Sequence, residues 1–172
     1  MSWYYGVMKY LDGREQEEAE RWMFAAAEEA KKALCLKAKC GTVIIKNGEV
    51  IGRGYNAPPL DREEQRTCLD AYPFPGKENF DRTCCMHAEW RAIIDALRRN
   101  RDALAGSKLY FARVDANGNP LRSGKPYCTV CSRLALDTGI AEFLLWHEQG
   151  IASYPTDEYN RLSYQYSEEA KR

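Results

Sequence analysis

The stretch Gly41–Asn56, "GTVIIKNGEVIGRGYN", decides the fold. Two β-branched runs, Thr42–Lys46 and Glu49–Gly54, flank Asn47-Gly48. Asn-Gly accepts the positive φ angles of a type I′ turn, whose twist matches that of the strands it joins, so the spacing predicts a β-hairpin. On its N-terminal side, Ala19, Trp22, Met23, Ala26, Ala27, Ala30 and Leu34 recur at helical spacing among Glu, Arg and Lys. That pattern predicts an amphipathic helix over about 15–34.

On its C-terminal side, 56–83 shows prolines, scattered charges and no sustained period, the composition of a long functional loop. Tyr72, Phe74 and Phe80 within it could pack the loop onto the domain or stack on a base. A second helix is expected over Met86–Arg99, with Trp90, Ile93, Ile94 and Leu97 inward. Its basic end, Arg98, Arg99 and Arg101, complements the helix dipole. Lys108–Val114 reads as a strand, Asp115–Pro126 as a turn-rich insertion, and Cys128–Gly139 as a short helix closed by glycine. Ala141–His147 reads as a further strand and 157–171 as a terminal helix. Strands and helices alternate after the hairpin, which predicts an α/β fold of three layers, α/β/α, with a central mixed sheet. The length suits one domain over 1–172, with its core at about 40–146.

Lys plus Arg and Asp plus Glu are 25 each, so no global charge draws the chain to nucleic acid or an acidic membrane. No apolar stretch is long enough for a membrane helix, and "MSWYYGVMKYLDG" has no secretory pattern. Seven cysteines without an export signal favour reduced thiols or metal ligands, and a cytoplasmic location is expected.

Two short motifs carry chemistry. Cys128-x-x-Cys131 places two thiols about one turn apart, which suits two ligands of a tetrahedral metal. A catalytic zinc takes a third protein ligand and keeps one position open, and His87, in "CCMHAEW", is the candidate. Glu89 then lies beside the position of a zinc-activated water without being a ligand, placed to move protons. A closed structural zinc site usually has four protein ligands, and this set supplies three.

His-x-Glu followed by Pro and Cys-x-x-Cys resembles the signature of the zinc-dependent nucleobase deaminases. The similarity runs over about Cys40–Trp146 and is to the cytidine/deoxycytidylate deaminase superfamily, above all its deoxycytidylate branch. "CGTVIIKNGEVIGRGYNAPP", "CMHAEWRAI" and "LDTGIAEFLLW" carry it. The resemblance implies the deaminase fold, with Zn²⁺ on His87, Cys128 and Cys131 and Glu89 as proton shuttle. It further implies substrate contacts from Asn56 and from the backbone at Ala88 and Pro126. Cys68, Cys84 and Cys85 are candidates for a second metal site, with His147 a fourth ligand or a polar rim residue.

The implied reaction converts a cytosine nucleotide or nucleoside, dCMP-like, to its uracil product with release of ammonia. Its partner is a small-molecule substrate, with self-association expected. Arg62, Arg66 and Arg82 are candidates for a substrate phosphate. Two departures bear on the substrate: Tyr127 intrudes between Pro126 and Cys128, and 115–125 is inserted near the pocket rim. The rivals are a deaminase of single-stranded DNA or RNA, one acting on another amino-heterocycle such as guanine, and a non-catalytic zinc-stabilised interaction module.

Overall fold

The computed structural model describes residues 7–67, 84–99, 102–122 and 124–169. The elements are β1 (Lys9–Tyr10), α1 (Gly13–Lys31), β2 (Lys39–Lys46), β3 (Glu49–Tyr55), α2 (Ala88–Arg99), β4 (Lys108–Val114), β5 (Pro120–Leu121), α3 (Thr129–Asp137), β6 (Glu142–His147), β7 (Gly150–Pro155) and α4 (Thr156–Glu169).

The expected hairpin is β2–β3. Asn47 and Gly48 take φ of 52° and 75°, and Lys46 pairs with Glu49 across them. The sheet runs β1-β7-β6-β4-β2-β3, with β5 paired to the C-terminal end of β4. β4 and β6 are parallel. Parallel neighbours need a crossover, and α3 lies within it. The other pairs are antiparallel, which makes the sheet mixed.

Successive strand residues face opposite sides, so unbroken apolar runs fit a sheet covered on both faces. Val43, Ile45, Tyr110, Ala112, Leu144 and Trp146 face α1. Ile44, Leu109, Phe143, Leu145 and Ala152 face the layer that holds α2, α3 and Tyr159 of α4. This is the three-layer arrangement expected from the sequence.

Two helices sit on bare backbone. A Cβ on Gly41 would collide with the main chain of Ala26 and Ala30 in α1, and Cβ atoms on Gly52 and Gly54 would collide with the carbonyls of Ala92 and Ala88 in α2. The sheet-facing stripe of α2 is accordingly Ala88, Ala92, Ile93 and Ala96. Leu97, expected inward, is 39% exposed because that small-residue stripe turns it outward.

Other differences have local causes. α1 ends at Lys31 because the N–H groups of Lys32 and Ala33 bond to the carbonyls of Glu29 and Ala30, while Leu34 N–H is drawn to the Asn56 carbonyl at the end of β3. β7 was not anticipated: "GIASYP" lacks a β-branched run, yet a two-residue turn, Glu148-Gln149, folds it back on β6 with His147 opposite Gly150. Among the described residues no helix is long and apolar enough to cross a membrane.

Candidate metal centre

His87 immediately precedes α2, and its carbonyl accepts the first helical hydrogen bond from Arg91 N–H at 3.1 Å. The chain reaches it through a bridge in which Met86 N–H donates to the Ala57 carbonyl at 2.8 Å. Cys128 is the N-cap of α3. Its extended backbone (φ −86°, ψ 105°) lets the thiol turn inward, where Sγ accepts Cys131 N–H at 3.2 Å. Two helix starts therefore aim their positive ends at one place.

His87 Nδ1 lies 3.1 Å from Cys131 Sγ and 3.5 Å from Cys128 Sγ, and all three donor atoms fall within 4.8 Å of one another. Tetrahedral zinc, with Zn–S about 2.3 Å and Zn–N about 2.0 Å, sets neighbouring donors roughly 3.5 Å apart. One imidazole and two thiols at this spacing fit the ion, and among the described residues no other group of this kind assembles. The Trp90 ring lies flat on the His87 imidazole, centroids 4.7 Å apart and planes at 14°, which fixes the ring's orientation.

The electrostatics of the cluster follow from its packing. The Cys131 thiol donates to Cys128 and, with His87, holds the Cys128 ionisation down at about 4 in spite of burial. Cys131 is pushed well up by burial and by that same shared proton. For His87, burial opposes the charge, but the hydrogen bond to Cys128 and the charge on Glu89 outweigh it, and the pKa rises. Glu89, only 6% exposed in the first turn of α2, has its pKa raised by burial against the pull of His87. His87 and both thiols lie close enough to bear on its charge, which puts it at the edge of the cluster.

The other candidates fall in different places. Asn56 is buried near this end of the sheet, but its side chain is engaged: Oδ1 accepts Cys40 N–H and Nδ2 donates to the Ala38 carbonyl, both at 2.8 Å. Ala88 is fully buried with its carbonyl towards Gly54. Pro126 is half-buried, two residues before Cys128, and Tyr127 is 62% exposed. Cys84 and Cys85 have their sulfurs 3.8 Å apart, whereas Cys68 lies outside the described residues. His147 Nε2 meets the Tyr154 hydroxyl at 2.9 Å and is not one of the clustered donors. Arg66 is turned inward, donating to the Leu34 carbonyl at 2.9 Å, and Arg62 is exposed. Arg82, Arg101, Tyr72, Phe74 and Phe80 lie outside the described residues.

Sequence reasoning missed two neighbours. Cys40 is close enough for the Glu89 charge to add to burial in raising its thiol to about 12. Tyr159 of α4 is buried against the same charges. Neither carries a local spacing signal. Trp90 was expected in the core, and its i, i+3 relation to His87 was the signal for the stacking.

An imidazole and two thiols, half-buried at His87 and Cys128 and buried at Cys131, beside a buried carboxyl in a three-layer α/β fold, define the class: a zinc-dependent hydrolytic deaminase. Residues 16–146 match the family described as the cytidine and deoxycytidylate deaminase zinc-binding region, and the chain belongs to it. It is 28% identical over 127 residues to the deoxycytidylate deaminase of Mycobacterium phage D29, covering 70% of this chain and 88% of that protein. Its fold is shared with the cytidine deaminase of Burkholderia pseudomallei, at TM-score 0.54 and 18% identity over 81% of this chain and 94% of that one. The dCMP deaminase of cyanophage S-TIM5 gives a TM-score of 0.50 at 19% identity, over 74% and 80% of the two chains.

Proposed function

We propose that this protein deaminates the cytosine of a free nucleotide or nucleoside, dCMP-like, with His87, Cys128 and Cys131 holding zinc and Glu89 carrying the protons. The observation that carries the reading is the convergence of the three donor atoms, with the buried Glu89 carboxyl near enough for His87 and both thiols to bear on its charge. Zinc, when bound there, polarises a water and brings its pKa towards roughly 7. Glu89 takes the proton released as that water attacks the ring carbon bearing the amine, and passes it to the adjacent ring nitrogen. The second proton of that water, taken by the same carboxyl from the hydroxyl now on the ring carbon, would leave with the amine as ammonia, so cytosine and water become uracil and ammonia. A carboxyl whose pKa is raised by burial suits a group that must gain and lose a proton within one turnover.

The balanced charge supports a small substrate, because a long phosphate backbone is normally met by a basic excess. The similarity to a deoxycytidylate deaminase supports cytosine and a phosphorylated sugar. The test is ammonia release by the zinc-loaded protein from free bases, nucleosides, mononucleotides and short oligonucleotides, with Glu89→Gln alongside. Glu89-dependent release from cytosine mononucleotides or nucleosides is the expected result. Release from oligonucleotides alone would replace the reading with nucleic-acid deamination, and release from guanine compounds alone would change the base.

A further inference from the structure

The helix α4 lies beyond the residues that match the family, yet it meets both ends of the Cys128–Cys131 turn. Ser132, next to Cys131, is fully buried and donates from Oγ to Asn160 Oδ1 at 2.8 Å. Its hydroxyl is also 3.2 Å from that of Ser163, equally buried, which in turn donates to the Asn160 carbonyl at 2.7 Å. Apolar side chains would pack two helices without desolvating these groups. A buried polar network of this kind fixes one relative placement of the helices it joins.

On the other side of the thiols stands Tyr159. Its ring is stacked on Phe143 of β6 (centroids 4.0 Å, 17°) and set edge-on to Tyr154 of β7 (6.0 Å, 89°), so its position is determined from two sides. Its buried phenol lies near the thiols of Cys128 and Cys131 and the backbone of Tyr127, the residue before Cys128.

We infer that α4 is a positioning element for the zinc ligands: Tyr159 fixes the peptide leading into Cys128, and Asn160 and Ser163 fix the residue following Cys131. The inference rests on the ligand set proposed above. It makes Tyr159, Ser132 and Asn160 positioning residues, acting on the metal through the thiols.

The experiment uses the full chain loaded with zinc or with cobalt(II). Three variants are compared: Tyr159→Phe, which keeps the ring, Ser132→Ala, and Ala27→Gly in α1 on the opposite face of the sheet, which lowers stability without touching α4. The readouts are the rate of zinc transfer to a chromophoric chelator, the thiolate-to-cobalt charge-transfer bands, and Tm. Loss of an outer partner of a metal ligand typically costs ten- to a hundredfold in affinity, so Tyr159→Phe and Ser132→Ala should each release zinc about tenfold faster and shift the cobalt bands. Ala27→Gly should release zinc at the parent rate despite a lower Tm. Parent-like release and spectra in both α4-contact variants would overturn the inference, as would equal acceleration by Ala27→Gly. A parent protein without thiolate-to-cobalt bands would instead defeat the ligand set, and the inference with it.

Discussion

At the scale of single residues, the site divides into groups that bind, groups that move protons and groups that hold others still. On the proposed proton-carrying role of Glu89, Glu89→Gln, which keeps the shape and removes the titrating oxygen, should cost at least about a hundredfold in turnover while zinc content stays at the parent value. Ammonia release and metal analysis of the same sample check both halves. Cys128 offers a second test. Its ionisation is lowered to about 4, so above that pH the zinc-free chain holds it as thiolate, while Cys131 and Cys85 are raised and stay protonated. Iodoacetamide at about pH 6 should therefore alkylate Cys128 well ahead of Cys85, and zinc should protect it; peptide mass mapping reads the order. The closeness of His87 to Glu89 and of Cys128 to Cys131 was legible because each pair sits within one helical turn; that the two pairs meet followed from the resemblance. Tyr159 was not, since the residues it lies near are some thirty positions away and only the folded sheet brings them together. The engagement of the Asn56 amide by Ala38 and Cys40 is of the same kind, read only from a closed hairpin.

At the scale of elements, legibility followed local chemistry. Asn47-Gly48 announces its turn, and Gly48→Ala, forcing a Cβ into positive φ, should cost on the order of 1 kcal/mol in urea unfolding. β7 announces little: Ile151 and Tyr154 favour a strand but stand apart, with Ala152 and Ser153 between them, and pairing with β6 supplies what propensity does not. Leu97 was misplaced because hydrophobicity was taken to mark the inner face of α2, whereas the sheet there has no side chains to pack against and selects alanine. Gly54→Ala tests this directly. The added methyl meets the Ala88 carbonyl and should destabilise by about 1–3 kcal/mol while weakening zinc retention, measured by unfolding and chelator competition on one preparation.

At the scale of the whole molecule, the proposed ligand set links metal and fold, because its donors stand at the starts of α2 and α3 and close only when both helices rest on the sheet. A ligand present at a thousand times its Kd adds about 4 kcal/mol to stability, so removing zinc by chelation should lower Tm and adding it back should restore it. Binding requires deprotonated thiols and a neutral imidazole, so the zinc-dependent part of that stability should shrink as pH falls. Melting curves with and without chelator across a pH series check the sign. The layer count and the mixed sheet were legible from the alternation of strands and helices; the strand order, with β1 on one edge and β3 on the other, was not, because pairing between distant strands leaves no local trace. The seating of α2 has a mechanical meaning. A contact made of side chains can absorb a small displacement by changing rotamers, but Gly52 and Gly54 meet α2 with main chain alone. The strand therefore works as a fixed stop for the helix that begins beside His87. A shift of β3 by a fraction of an ångström would pass undamped to the imidazole, so this seam sets the tolerance to which the centre is built.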